Sequence, residues 1–188
     1  MKDQSSVIVW DPFVRVFHWS LALAFLLNYF ITESGDDVHQ RLGYAAGGLI
    51  CARFVWGFRD TGAARWSRFW PTATRLKNDW RALRAGQPHR ELTHSAFGAL
   101  VMIAMMSGVF LLGLSGFAME EIDYFWGDDR LEAIHSRIAD VIAVLAAVHL
   151  LGAAVQSIWL KENLPLSMIT GRRRPPSQDQ SVRRSDDP

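Results

Sequence analysis

The sequence predicts an all-α integral membrane protein: a four-helix bundle with both chain ends on the cytoplasmic side. Three observations predict it. Residues Val16–Thr32, Leu92–Met119 and Val141–Leu160 form runs of 17, 28 and 20 residues without Asp, Glu, Lys or Arg. A fourth stretch, Leu42–Phe58, is interrupted only by Arg53. The charges between these runs are sorted by sign. Average composition hides all of this, because a net charge of +1 and 49% apolar residues would suit a soluble domain. That apolar content, with 8 Trp, does exclude a disordered chain.

Crossing a bilayer core takes about 20 mostly apolar residues, which places spans at about 14–32, 39–58, 92–118 and 135–160. The first follows Trp10-Asp11-Pro12 and Arg15, and its small-x-small triplets, Ser20-Leu21-Ala22 and Ala22-Leu23-Ala24, lie inside the apolar run rather than after it, so it reads as a retained span rather than a signal peptide. The first connection, Glu33–Val38, has three acids and no base. In the second span Arg53 requires an interface or a partner. The third span is apolar all round, whereas a helix of a soluble bundle keeps a polar face.

The second connection, Gly57–Glu91, holds eight Lys or Arg. Within it Ala73, Leu76, Trp80 and Leu83 recur at helical spacing, interleaved with Arg75, Lys77, Arg81 and Arg84. That pattern predicts a short amphipathic helix in the membrane interface, its basic face toward anionic lipid; a solvated charged loop is the alternative. Neither reading needs a nucleic acid. The third connection, Met119–Ile134, has six acids and only Arg130. Lys161, Arg172, Arg173, Arg174, Arg183 and Arg184 follow the last span. By the positive-inside rule the second connection and both termini are cytoplasmic. Residues 1–171 then form one membrane domain, and 172–188 a disordered basic and polar tail.

A single cysteine, Cys51, excludes a disulfide framework, a Cys-rich zinc module, a thiolate-held iron–sulfur cluster and C-x-x-C-H attachment of haem. The histidines carry the chemistry. A lone His in a span is more often a hydrogen-bonded packing residue, but here the arrangement is regular. His135 and His149 are 14 residues apart, about 21 Å along a helix and nearly on one face. His18 lies near the inner start of the first span and His39 near the outer start of the second. The pairs that match in depth are His18 with His149, and His39 with His135. Two stacked bis-histidine sites suit two non-covalent b-type haems, with no open coordination position. Zinc competes, although two His without Cys or carboxylate are a poor zinc set. His94, level with His18, is a rival ligand or a neighbour of the site. His89 lies in a solvated loop. Gly43, Gly47, Gly48 and Gly152 would admit a flat macrocycle, or serve helix packing. Arg53 is placed to meet a haem propionate, with Arg41 and Arg15 as weaker candidates.

Several separated motifs carry a family resemblance. Trp10-Asp11-Pro12-x-x-Arg15-x-x-His18-Trp19, His39-x-x-x-Gly43-Tyr44, Arg53-x-x-Trp56-Gly57-Phe58 and the close from Lys161-Glu162-Asn163-Leu164 to Met168-Ile169-Thr170-Gly171 resemble the bacterial cytochrome b561 and nickel-iron hydrogenase b-type cytochrome family. The chain departs from many relatives at Ser136 and at Thr93-His94-Ser95-Ala96. The resemblance implies two haem b groups ligated by His18, His39, His135 and His149, and electron transfer with quinone.

The expected function is therefore transmembrane electron transfer in the bacterial inner membrane, linking the quinone pool to a redox partner. That partner would be a soluble cytochrome c or a dehydrogenase or hydrogenase. No catalytic side chain is assigned. The alternatives are a stand-alone quinone-coupled oxidoreductase, for example one oxidising superoxide, and a non-redox membrane scaffold or transporter.

Overall fold

The computed structural model describes residues 7–60, 62, 64–86 and 95–174. His89 and His94 lie outside the described residues. Within them the chain forms seven α-helices: α1 (Pro12–Phe30), α2 (Asp37–Arg59), α3 (Trp66–Phe69), α4 (Ala73–Arg84), α5 (Ala96–Glu121), α6 (Asp129–Leu160) and α7 (Leu164–Thr170). A short antiparallel pair, β1 (Val7–Ile8) with β2 (Arg172–Arg173), ties the two ends together.

Each long helix starts where a side chain satisfies its free N–H groups. Asp11 accepts from Val14 N at 2.9 Å, with Pro12 in the first turn of α1. Asp36 caps α2 through His39 N, Ser95 caps α5 through Gly98 N, and Asp128 caps α6 through Arg130 N and Leu131 N. Because the cap sits at Asp128, α6 begins six residues before the span expected at 135 and runs unbroken for 32 residues.

Three helices, α1, α5 and α6, are long and apolar enough to cross a membrane. Their apolar side chains face outward as often as inward. Leu150, Leu151 and Ile158 are 67%, 66% and 75% exposed. Such a surface is stable only in an apolar solvent. The protein is a multi-pass membrane protein. At 23 residues α2 is also long enough, but it carries Asp37, Arg41, Arg53 and Arg59.

The long helices pack in chain order, α1 on α2, α2 on α5 and α5 on α6. Phe17, Ile50, Met106, Val109 and Ile142 form the shared core. The α5–α6 crossing is close at Gly108, where a Cβ would stand 2.8 Å from Ile142 Cγ1. One end of the bundle gathers the acidic connections and the other the basic ones.

The basic end is locked by a clasp. Trp10, Val14 and Ala64 form a second buried cluster with Phe13, Trp56 and Met168 packed on it. Asp11, besides capping α1, accepts from Trp56 Nε1 at 3.3 Å. Val9 N and Trp10 N both donate to Gly171 O, and Arg15 Nη2 donates to Ile169 O. Gly171 has φ +77°, and a Cβ there would stand 2.8 Å from Trp10 O, so only glycine fits the turn. Glu162 takes Arg173 Nη2 at 3.4 Å and Arg174 N at 2.8 Å. Ordered chain thus extends past the boundary expected at 171, because Arg172 and Arg173 find backbone partners in Val7 and Ile8.

The basic connection is anchored rather than loose. The helix expected there is α4, and its Asp79 is buried and accepts from Ala96 N at 2.6 Å, joining α4 to the start of α5. Trp80 and Leu83 remain about half exposed on α4.

Gly57 gives a direct test of the clasp. A Cβ there would stand 2.1 Å from Trp66 Nε1, which donates to Phe54 O at 3.1 Å. Gly57→Ala is expected to destabilise the protein by about 1–3 kcal/mol. A lowered thermal midpoint in detergent, followed by tryptophan fluorescence, is the measurement; an unchanged midpoint contradicts this packing.

Candidate functional site

The helical period brings four histidines into two pairs. His18 on α1 and His149 on α6 have ring centres 6.4 Å apart. His39 on α2 and His135 on α6 have ring centres 6.2 Å apart. These are the pairs that match in depth, the first toward the basic end and the second toward the acidic end. Among the described residues no group of three or more His, Cys, Asp or Glu converges on either. Each pair offers two imidazoles and no third candidate ligand among the described residues.

The separations have a chemical meaning. A first-row metal sits about 2 Å from an imidazole nitrogen, itself about 1.1 Å from the ring centre, so one metal between two rings sets their centres about 6.2 Å apart. Ordinary packed rings stand about 4.5–7 Å apart, so the distance agrees with a shared metal without by itself singling one out. Both pairs match the metal-bridged distance.

Hydroxyls at the acidic end can set the tautomer. Ser115 Oγ lies 2.9 Å from Leu111 O, 3.1 Å from Leu112 O and 2.8 Å from His135 Nδ1. When its one proton goes to a carbonyl, the oxygen accepts from Nδ1–H and leaves the Nε2 lone pair free. Thr32 Oγ1 can do the same for His39, standing 3.2 Å from Asn28 O and 3.2 Å from His39 Nδ1. The His18 Nδ1 atom is buried and has no hydrogen-bond partner among the described residues.

Beside the acidic-end pair lies a cavity of about 370 Å³ that touches both His39 and His135. Its walls are apolar, with Phe25, Val109, Leu112 and Phe117, and its rim includes Ser34, Gly35, Glu120, Asp128 and Glu132. Gly43, Gly113 and Gly116 line it as well, and a Cβ at Gly43 would meet nothing within 4 Å. Gly47, Gly48 and Gly152 also face open space, whereas a Cβ on Gly113 would stand 3.8 Å from Gly47 Cα at the α2–α5 approach. The missing side chains therefore leave room for a flat group as well as serving one helix crossing. Paired axial nitrogens, a slot without side chains and an apolar wall fit a haem.

The prokaryotic cytochrome b561 family matches residues 9–171. The chain belongs to that family. It is also 20% identical over 220 residues, 92% of this chain and 83% of the relative, to a Rhodobacter capsulatus protein named "Probable Ni/Fe-hydrogenase B-type cytochrome subunit". No solved structure matches it. Membership implies a haem b electron-transfer cytochrome of the membrane.

Two of the three candidate arginines of this cytochrome b561, Arg53 and Arg15, have contacts in the clasp. Arg53 is 3% exposed; its Nη2 donates to Ala64 O at 2.9 Å and its guanidinium lies over the Trp66 ring at 4.9 Å. Asp60 in turn holds Ala64 N at 3.0 Å. The partner that the second span requires for its charge is thus supplied by the chain just beyond α2. Arg15 also serves the clasp, and Arg41 is exposed beside Asp37. Ser115 and Thr32, which orient two of the rings, were not singled out in the sequence. Their one signal there is a hydroxyl isolated in an apolar run.

Arg53→Lys keeps the charge but loses the planar fork that reaches a carbonyl while covering an indole. The expected cost is about 1.5–3 kcal/mol, seen as a lower unfolding midpoint of the cofactor-free protein. An effect confined to haem content would instead place the guanidinium's role at the cofactor.

Proposed function

We propose that this cytochrome conducts electrons across the bacterial inner membrane between quinone and a redox partner, with one haem b held by His18 and His149 and a second by His39 and His135. The observation that supports it is the meeting of four histidines from three helices as two pairs at two depths, with ring centres 6.4 Å and 6.2 Å apart. Bound haem supplies one-electron exchange without an open coordination position. The protein supplies everything else. The four imidazoles ligate, and Ser115 and Thr32 fix two of them in the ligating tautomer. Gly43 and Gly116 leave the slot clear, while Phe25, Val109 and Phe117 keep water from it.

The orientation follows from charge. The basic end, with α4 and both described chain ends, faces the cytoplasm, and the acidic end faces outward. All four long helices then span, α2 doing so because the Arg53 guanidinium is hydrogen-bonded and covered within the clasp. The half-exposed Trp80 and Leu83 and the flanking Arg81 and Arg84 suit α4 to the cytoplasmic interface. A redox partner on the membrane is in keeping with the hydrogenase cytochrome subunit to which the chain is distantly similar. The carboxylates around the acidic-end cavity disfavour an anionic substrate such as superoxide there.

Haem stoichiometry tests the proposal. The purified protein is expected to carry two haem b per chain. His39→Ala or His135→Ala should each remove one and leave the other, and His18→Ala or His149→Ala should do the converse. One haem per chain, or full haem in both α6 variants, contradicts it.

A second expectation concerns the hydroxyl that holds His135. Ser115→Ala should weaken haem retention at the acidic-end site about 10–100-fold while leaving the other site loaded. Haem loss from each site on dilution or competition with apomyoglobin is the measurement.

A further inference from the structure

The side of α6 that meets α5 carries a second site. Between α5 and α6 runs a groove of about 360 Å³, lined from α5 by Ala104, Ser107 and Leu111 and from α6 by Ile138, Val141 and Leu145. Its walls are almost wholly apolar. Arg137 lies at the acidic end of this groove and is exposed. Among the described residues the guanidinium has no ion pair: the nearest carboxylate on its own helix face, Asp140, accepts instead from Tyr29 Oη at 2.8 Å on α1.

Depth sets the chemistry of what fits. At 32 residues α6 is about 48 Å long, well beyond the roughly 30 Å of bilayer hydrocarbon, so part of it overhangs. After Glu132 its charges are Arg137 and Asp140, and none follows through Leu160. These two residues therefore mark the acidic-side edge of the hydrocarbon. From Arg137 to Leu145 the groove runs eight residues, about 12 Å, inward from that edge. A cation at headgroup level joined to an apolar track pointing toward the membrane centre is complementary to one kind of molecule: an anionic head on a hydrocarbon chain.

We propose that the α5–α6 groove is a binding site for an anionic phospholipid of the outward-facing leaflet, its phosphate on Arg137 and one acyl chain along Ile138, Val141 and Leu145. Arg is suited to this task, because its fork meets two phosphate oxygens at once and its stem packs on apolar neighbours. The bound lipid would complete the α5–α6 face where the small Ala104 and Ser107 leave it shallow. This site is separate from the histidine pairs and does not depend on what they hold.

The test is lipid retention by the full chain in detergent, read by native mass spectrometry during titration with phosphatidylglycerol and, separately, phosphatidylcholine of the same acyl chains. The wild type is expected to retain one phosphatidylglycerol about fivefold more tightly than phosphatidylcholine. Arg137→Gln should abolish that preference, and Arg137→Lys should restore most of it. Ser107→Phe, which fills the track and leaves the charge, should lower retention of both lipids. A phosphatidylglycerol preference unchanged in Arg137→Gln overturns the proposal. So does an added ubiquinone that displaces the lipid equally well from wild type and Arg137→Gln, since a neutral head would then be the groove's occupant.

Discussion

Fourteen residues of unbroken helix separate His135 from His149, and a rigid α6 fixes both their spacing and their shared face. A histidine on another helix can meet either one only at the matching depth. That places His18 at the start of α1 and His39 at the start of α2, and so requires α1 and α2 to run in opposite directions. The remaining features of the bundle serve this geometry. Asp36 caps α2 three residues before His39, which sets the ring on the first turn. The α1–α2 connection is short, and Asn28 Nδ2 donates to His39 O at 3.0 Å across it. An extra residue in α6 between the two histidines would turn one of them by about 100° and shift it by about 1.5 Å, so that one pair could survive but not both.

The clasp at the basic end answers a different demand. Four long helices with little buried core need their ends tied, because lipid gives apolar faces no reason to prefer each other. Here the ties are polar and buried: Arg53 on Ala64, Arg173 on Glu162, Asp79 on Ala96, Trp56 on Asp11. Buried charges cost several kcal/mol when left alone, so such a set is stable only when its members arrive together. The same residues make up most of the sequence motifs outside the histidines. Trp10-Asp11-Pro12, Arg53-x-x-Trp56-Gly57 and Met168 through Gly171 converge on one region from three parts of the chain. They define the fold as an end-locked bundle, while the histidines define its chemistry.

This explains what the sequence could convey. Charge-free runs disclose helices because lipid demands an apolar exterior, and the 14-residue interval discloses the pairing because helices are periodic. Neither signal reaches side chains whose role depends on the partner across the bundle. Arg53 shows this. Its position in a span announces a partner, for which sequence reasoning offers a ligand carboxylate or the interface; the structure adds the Ala64 carbonyl and the Trp66 indole from the chain beyond α2. Asp79 is a second case. In a basic stretch it reads as one more surface charge, yet it is the acceptor for the first residue of α5. The β1–β2 pairing was likewise illegible, since nothing in the sequence places Arg172 and Arg173 beside Val7 and Ile8.

At the acidic end two of the rings take hydroxyls rather than carboxylates as hydrogen-bond partners. An imidazole ligates through a lone pair, so it must remain neutral, and a carboxylate on its other nitrogen favours the protonated ring. A hydroxyl does not. It accepts the Nδ1 proton while committing its own to a carbonyl, and so orients the ring without adding charge. Ser115 and Thr32 stand where the rings need a partner, and Glu120, Asp128 and Glu132 are placed on the rim of the cavity instead. The acids that give the molecule its direction in the membrane are thus near the site but not on it. Their field can bias what approaches from the aqueous side, while the neutral hydroxyls hold the ligating tautomer.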